Sequence, residues 1–305
     1  MEIFYEGKDI TDMVQVRECL FHDVSGGRCD SLEITFENAA AWYQWGPEED
    51  DKIFIAQGGV TTGVMFLNTV LPEDGRYRIL ATSLPCKARA KAWNSFINKN
   101  IEEILRACAM ASGMDYQIYG VDKGTIIPYA QQENETCAAF LNRLMLWEGA
   151  ALKCVNGKYT AIGIDWAQKQ AAQQTITVMP SQRGVCYRRN GKRIREMSVE
   201  TPFGTAKAVD LLAETTFPAV TMTGIPAKDA IQAGRYARGL LMNENRKCES
   251  LTIDSEFNPG FAAMARIDIE GGTDATGEWL IEEAHHDLIN MTSTAKMRRC
   301  IQTIQ

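Results

Sequence analysis

The sequence is poor in the residues that most catalytic and metal sites need. Only three histidines occur among 305 residues, at His22, His285 and His286. No HExxH, CxxC or Cys-His spacing supports a zinc site. Because neighbouring residues of a strand point to opposite faces, His285 and His286 cannot easily share a metal ion. We therefore expect neither a metal site nor a cofactor.

Nucleophiles and phosphate-binding loops are also weakly indicated. Cys137 or Ser255 would need a histidine base such as His286 close in space, and no sequence spacing brings them together. No GxSxG elbow is present. The glycine-rich stretch from Gln57 to Gly63 has neither the order GxGxxG nor the terminal Gly-Lys-Ser/Thr of a P-loop. We interpret this stretch as a hairpin corner.

Two acid pairs carry the carboxylates that a glycosidase would use. They are Asp254 with Glu256 and Glu282 with Asp287. Two carboxylates at a suitable separation suffice for glycoside hydrolysis, but the sequence does not fix that separation. Asp254 and Glu256 occupy alternate positions of one predicted strand, which favours a solvated face. We therefore expect no catalytic residue.

Long apolar runs, a basic net charge and closely paired cysteines are missing too. No stretch of about 18 apolar residues could span a membrane, and the acidic start MEIFYEGKDITD is unlike a signal peptide. The net charge of −7 argues against general nucleic-acid binding. Nine scattered cysteines favour reduced thiols over a disulfide framework. We expect a cytoplasmic protein without direct membrane insertion.

Residues 1–85 have the pattern of short strands separated by turns. Leu32, Ile34 and Phe36 alternate with polar residues, which predicts a strand with one buried face. Glycine-containing turns recur about every 8–12 residues, a spacing typical of a barrel or a sandwich.

Residues 86–172 change to helices and a hairpin. Asn100 and Glu103 have the spacing of a capping box at the start of a helix. A second helix is predicted from about Glu135 to Glu148, and Asn156-Gly157 then favours a tight hairpin turn. This part is predicted to be a small α+β domain.

Residues 173–305 return to strands. Asn190-Gly191 predicts a hairpin that joins GVCYRR to KRIREMSV. The segment at about 200–245 is predicted as a loop and helical insertion, whose helix starts near Pro226. Alternation from Glu249 to Gln305 predicts closing antiparallel strands. The fold class is therefore α+β and mostly β.

One basic cluster surrounds the predicted Asn190-Gly191 turn of this acidic chain. Three interpretations stay open, namely an acidic protein partner, phosphates, or a solvated hairpin on which the cations discourage edge pairing. The possible protein-contact patch consists of Arg183, Arg188, Arg189, Lys192, Arg193 and Arg195.

The order of these elements resembles a family of structural phage proteins. Three stretches carry the resemblance. They are DVSGGRCDSLEITFENAAAWYQW with DDKIFI, then IEEILRACAMASGMDY with QQENETCAAFLNRLMLWEGAALKCVNGKYTAIG, and finally NPGFAAMARIDIEG with GEWLIEEAHHDLINMTSTAKMRR. Their order and spacing are similar to those of the baseplate hub proteins of contractile phage tails and tailocins, the late control protein D family. The same fold forms the N-terminal part of VgrG spike proteins.

The resemblance implies two tube-protein-like antiparallel β-barrels, at 1–85 and 173–305, that flank the middle domain. It also implies a homotrimer whose barrels form a pseudo-sixfold ring between the hexameric tail tube protein and the trimeric spike protein. Other baseplate proteins would be further partners. The expected location is the bacterial host cytoplasm during assembly and then the tail baseplate.

Two other functions stay open at this point. One is a tail-associated hydrolase of peptidoglycan, which the scattered carboxylates suggest. The other is a carbohydrate-binding β-barrel, which the six tryptophans suggest. The sequence does not distinguish a phage from a tailocin or another injection system.

Overall fold

The computed structural model describes residues 1–37, 39–73, 75–191, 193–202 and 204–304. The chain is mostly β, with 48% of its residues in strands and 19% in helices, and its antiparallel sheets are curled. The predicted fold class is therefore confirmed. No helix in these ranges is long and apolar enough to cross a membrane.

The N-terminal part is built from short strands, as the alternation predicts. Leu32, Ile34 and Phe36 are all buried. Gly58 and Gly59 close a two-residue hairpin turn with φ angles of 54° and 92°, so the glycine-rich stretch is a hairpin corner. The elements are β1 (Glu2–Tyr5), β2 (Lys8–Asp9), β3 (Val16–Val24), β4 (Ser31–Phe36), α1 (Ala39–Trp45), β5 (Lys52–Gln57), β6 (Val60–Thr61), β7 (Met65–Glu73) and β8 (Arg76–Thr82).

The middle part contains the predicted helices and hairpin. At the predicted capping box, Asn100 Oδ1 accepts from the Glu103 N–H at 2.8 Å and Glu103 Oε2 accepts from the Asn100 N–H at 3.0 Å. Asn156 and Gly157 close the second hairpin with φ angles of 50° and 68°. The elements are β9 (Lys91–Asn100), α2 (Ile101–Ser112), β10 (Asp115–Tyr119), β11 (Ile126–Thr136), α3 (Cys137–Trp147), β12 (Ala150–Val155), β13 (Lys158–Gly163) and α4 (Ile164–Lys169).

The C-terminal part ends in the predicted antiparallel strands. The predicted helix begins at Ala230 rather than near Pro226, because Asp229 accepts from the Gln232 N–H at 2.7 Å and so caps it. The elements are β14 (Gln174–Thr177), β15 (Val185–Arg189), β16 (Glu196–Thr201), β17 (Gly204–Val209), β18 (Ala219–Met222), α5 (Ala230–Arg246), β19 (Glu249–Glu256), β20 (Arg266–Glu270), β21 (Gly277–Asp287) and β22 (Thr292–Arg299).

The hairpin predicted across Asn190-Gly191 is wrong. Strand β15 pairs with β19, whereas β16 pairs with β17 and β18 in a separate three-stranded sheet. The Asn190 N–H donates to the Cys248 carbonyl at 2.7 Å, and the Asn190 side chain donates to Ser250 Oγ at 3.0 Å. These bonds hold Asn190 on the first residues of β19, so the chain leaves the large sheet here instead of folding back along β15.

One sheet of 14 described strands joins the N-terminal and C-terminal parts. Its order is β15-β19-β22-β21-β3-β4-β8-β7-β5-β1-β2, with β20 and β14 attached beside β21 and β6 beside β5. Strand β21 pairs with β20 through its first residues and with β3 through its last ones. Each part keeps its own apolar core, one around Trp42 and Phe36 and the other around Trp279 and Phe261.

A third core lies under the helices of the middle part. Helices α2 and α3 and strand β12 contribute to it, and so do β16, β17, α5 and the C-terminal Ile301 and Ile304. The segment from β16 to α5 therefore packs on the middle part of the chain, although β15 before it and β19 after it lie in the large sheet. The domain boundaries at 85 and 172 stay a prediction.

Candidate interaction surface

Strand β15 brings part of the predicted basic patch to the end of the large sheet. Its residues alternate, so that Val185 and Tyr187 are half-buried while Cys186 and Arg188 are exposed. Tyr187 packs edge to face on the buried Trp279, with ring centroids 6.2 Å apart. Because β15 stands at one end of the strand order, its exposed cations lie where proteins commonly keep a sheet edge charged.

The other residues of the predicted patch lie before and after β15. Arg183 is exposed in the turn before β15. Arg193 Nη1 lies 3.7 Å from Asp210 Oδ2, and Arg195 Nη1 donates to the Thr215 carbonyl at 3.4 Å. Lys192 lies outside the described residues.

A cleft of about 510 Å³ opens between β15 and the loop that follows β17. Leu212 is 72% exposed at this cleft, and the neighbouring Leu211 is 58% exposed. We name this feature the basic cleft. Its lining residues are Arg189, Gly191, Arg193, Leu212, Glu214, Phe217, Cys248 and Glu249.

The apolar part of the basic cleft was not predicted from the sequence. The adjacent apolar residues Leu211 and Leu212, in a stretch predicted as an insertion, could have indicated it. Adjacent apolar residues that are exposed often mark a contact surface.

Contacts within the chain neutralise two of the acids at the basic cleft. Asp210, whose side chain is fully buried, accepts from Asn245 Nδ2 at 2.9 Å and from Thr303 Oγ1 at 2.6 Å. Glu249 pairs with Arg299 at 2.8 Å. Within the described residues, no carboxylate lies within 4.0 Å of a side-chain nitrogen of Arg183 or Arg188, but these two arginines do not line the cleft. The charged residues of the lining are two arginines, Arg189 and Arg193, and two glutamates, Glu214 and Glu249.

The histidines make contacts between neighbouring strands and loops. His22 and His285 face each other across the β3–β21 pair. The ring nitrogens of His286 contact Ser293 Oγ and the Phe261 carbonyl, each at 2.9 Å. Burial lowers the pKa of His22 and of His286. Within the described ranges, no group of three or more His, Cys, Asp or Glu residues could hold a metal ion.

The candidate nucleophiles contact groups other than a histidine. Ser255 Oγ donates to the Glu256 carbonyl at 2.7 Å. Cys137 begins α3 in the third core, where a hydrogen bond from the Cys108 thiol lowers the pKa of Cys137 to about 6. Since Ser293 and Phe261 occupy both nitrogens of His286, the arrangement does not present that histidine as a base to either residue.

The candidate acid pairs make local structural contacts. Asp254 and Glu256 are exposed on β19, and Asp254 Oδ1 accepts from Thr294 Oγ1 at 2.7 Å. Glu282 pairs with Arg298 at 2.8 Å, and Asp287 accepts from the Asn290 N–H at 2.8 Å. The exposure of Asp254 and Glu256 agrees with the solvated face that we predicted for this strand.

The tryptophans divide between cores and surface. Trp42 and Trp279 are fully buried, whereas Trp93 is 68% exposed on β9. Trp166 is 39% exposed and stacks on Tyr119 with ring centroids 5.6 Å apart.

A buried charged cluster lies where the three parts of the chain meet. Lys153 of β12 donates to Asp23 of β3, and Asp23 Oδ2 also accepts from the Ala263 N–H at 3.0 Å. Burial raises the pKa of the neighbouring Asp30 to about 8, the charge of Asp23 adds to this, and the charge of Lys153 opposes it. No sequence pattern indicates this cluster, because Lys153 and Ala263 are far from Asp23 in the chain.

Comparison with known proteins gives structural relatives only. No protein-family model matches the chain, and no curated protein sequence matches it. Among solved structures, a tail protein from Neisseria meningitidis is similar with a TM-score of 0.75 at 9% identity, over 98% of this chain and 95% of that one. The 43 kDa tail protein of prophage MuSo2 from Shewanella oneidensis is similar with a TM-score of 0.72 at 14% identity, over 98% and 97%.

A secretion protein shows the same likeness. An Escherichia coli component of the type VI secretion system is similar with a TM-score of 0.61 at 12% identity, over 99% of this chain and 77% of that one. The fold that the sequence resemblance implied is therefore confirmed. This chain has the fold of phage tail proteins and of a type VI secretion component.

Proposed function

We propose that the chain is a structural baseplate hub of a contractile phage tail or a tailocin-like injection particle. In this role it trimerises and joins a hexameric tail tube to a trimeric spike, and it contacts other baseplate proteins. It assembles in the bacterial host cytoplasm and ends in the baseplate. We assign it no catalytic step.

The observation that carries the proposal is the likeness to a tail protein over the full length of both chains. The continuous sheet is a second support. Because β3 and β21 pair directly, the two β-rich parts are tied to each other by backbone hydrogen bonds. A coupler that transmits force between a tube and a spike needs such a rigid connection. We assign the parts as a first barrel at 1–85, a middle domain at 86–172 and a second barrel at 173–305.

Binding to tube and spike proteins tests this proposal. The purified chain, immobilised by a tag, should retain tube and spike proteins encoded beside it, and light scattering after size exclusion should detect a trimer alone or with these partners. A stable dimer that retains neither protein would contradict the hub assignment.

A second assay tests the hydrolase alternative. Purified protein incubated with peptidoglycan should release no soluble fragments above a heat-denatured control. Fragment release that follows the folded protein through purification would replace the hub by a cell-wall hydrolase.

A further inference from the structure

Two cysteines that are far apart in the sequence lie side by side where the N-terminal part of the chain meets the middle part. Cys29, in the turn between β3 and β4, is the partner of Cys154 of β12 in a parallel β-bridge. Neighbouring strands lie about 4.8 Å apart, and the Cα atoms of disulfide-bonded cysteines are about 4.4–6.8 Å apart. The backbone therefore places these two residues at the separation that a disulfide requires.

Both cysteine side chains pack into the same apolar core. Cys154 is 2% exposed and belongs to the third core, and Cys29 packs against that core from its edge. Burial raises the pKa of the Cys154 thiol, and the charge of a Cys29 thiolate adds to this effect. The two sulfur atoms are therefore close enough to influence each other.

Hydrogen bonds hold the turn between β3 and β4 against β12. The Gly26 N–H donates to the Leu152 carbonyl at 3.0 Å. Ser83 Oγ donates to the Cys154 carbonyl at 2.5 Å and accepts from the Asp30 N–H at 3.1 Å. These bonds fix the backbone on both sides of the turn cysteine, so a disulfide formed here needs little further ordering of the chain.

The two thiols differ in their access to solvent, and this difference gives them separate roles in an oxidation. Cys29 is half-buried, so a small oxidant can reach it, whereas Cys154 is buried. Cys108 and Cys137 also share a hydrogen bond, but both are buried in the third core and neither thiol is open to an oxidant. The pair at the junction is therefore the better site for modification.

We propose that Cys29 and Cys154 form an intramolecular disulfide when the chain meets a small-molecule disulfide. The Cys29 thiolate attacks one sulfur of the oxidant, which gives a mixed disulfide and releases one small thiolate. The Cys154 thiolate then attacks Sγ of Cys29, which forms the Cys29–Cys154 bond and releases the second small thiolate. The two cysteines together lose two electrons and two protons, and the oxidant takes them up as it becomes two thiols.

The cross-link ties the N-terminal part of the chain covalently to the middle part. A disulfide that closes a long loop removes many conformations from the unfolded chain, so we expect the oxidised protein to be the more stable form. Cytoplasmic thiols are kept reduced, which places formation of this bond outside the host cell. Its use as a tie within a baseplate rests on the proposed hub function, whereas the bond itself does not.

Oxidation of the purified full-length chain tests the site. The background for the test is Cys86→Ser/Cys186→Ser, which removes the exposed thiols and so prevents disulfides between copies through them. After incubation of the folded protein with excess oxidised glutathione at pH 8, mass spectrometry of an unreduced digest should find Cys29 linked to Cys154, and neither residue linked to glutathione.

Thermal unfolding gives a second readout. In the same background, the oxidised protein should unfold at least about 5 °C above the reduced protein, and dithiothreitol should abolish this difference. Cys29→Ser should fold with unchanged circular dichroism and show no shift on oxidation. The matched control is Cys248→Ser, which alters another half-buried cysteine and should keep the full shift.

Three results would overturn the proposed disulfide. They are a Cys29 that stays unmodified, a Cys29 that accumulates as a mixed disulfide with glutathione while Cys154 stays free, and a cross-link that forms only in urea. None of them bears on the retention of tube and spike proteins, which decides the hub function separately.

Discussion

His22 and His285 lie directly opposite each other on β3 and β21, with ring centroids 4.2 Å apart and ring planes at 60°. They stand in the strand pair that makes one sheet of the two β-rich parts. Beside them, Glu283 pairs with Arg28 and, at 3.0 Å, with Lys296. The junction therefore combines a backbone ladder, two facing imidazoles and a carboxylate held by two cations.

Removal of the Glu283 charge should weaken this junction. Although burial raises the pKa of Glu283, hydrogen bonds from Arg28, Lys296 and His285 lower it to about 2. The stability that this carboxylate contributes is present above the unfolded pKa of about 4.3 and is lost as the pH falls towards 2. Glu283→Gln should cost about 1–3 kcal/mol at pH 7 in urea unfolding. An equal cost at pH 3 would show that the charge is not the cause.

Mild acid should destabilise the fold through the buried histidines. Burial lowers the pKa of His22 and of His286, and Glu33 and Glu283 oppose this at His22 while His285 and Lys296 add to it. A histidine whose pKa is lower in the folded state than in the unfolded state stabilises the fold at pH values above its unfolded pKa of about 6.5. This stability is lost as the pH falls through the pKa of the folded state.

In an Asp30→Asn background, which removes the opposing titration of Asp30, the urea midpoint should therefore drop between pH 7.5 and pH 5.5. His22→Gln in the same background should show a smaller drop over this range. An identical drop would mean that His22 does not contribute to the acid sensitivity.

Asp30 should give the opposite pH dependence. Burial raises its pKa to about 8, so between about pH 4 and pH 8 the unfolded chain loses this proton while the folded chain keeps it. The stability contribution of Asp30 is therefore lost as the pH rises. Asp30→Asn, which stays neutral and can still accept from the Val24 N–H, should stabilise the protein by about 1–3 kcal/mol at pH 8 and by less at pH 5. A variant that is less stable at pH 8 would contradict this assignment.

Two glycines of α5 should respond in opposite directions to the same substitution. At Gly239 an added Cβ would overlap the Trp147 carbonyl oxygen, because α5 crosses the end of α3 at close range. Gly239→Ala should cost about 1–3 kcal/mol. At Gly234 nothing lies within 4 Å of an added Cβ, so Gly234→Ala should stabilise by about 0.5–1 kcal/mol through helix propensity. Thermal unfolding measures both, and equal effects would rule out the close approach as the cause.

Short-range patterns of residues were sufficient to predict much of the local structure. The Asn100–Glu103 capping box, the Asn156-Gly157 turn and the alternation of Leu32, Ile34 and Phe36 all appear as predicted. Each of these signals acts between residues a few positions apart, where backbone geometry and side-chain hydrogen bonds are fixed by residue type. Together with the order of the elements, they were enough to indicate the fold.

The contacts between distant segments could not be predicted from such patterns and are visible in the folded chain alone. The Asn190-Gly191 signal was overridden because β15 gains a full ladder on β19, while the next segment packs on the third core. The same holds for the basic cleft, for Lys153 with Asp23, and for the pairing of His22 with His285. Such contacts depend on complementary surfaces brought together by the whole chain, and no short-range pattern in the sequence encodes them.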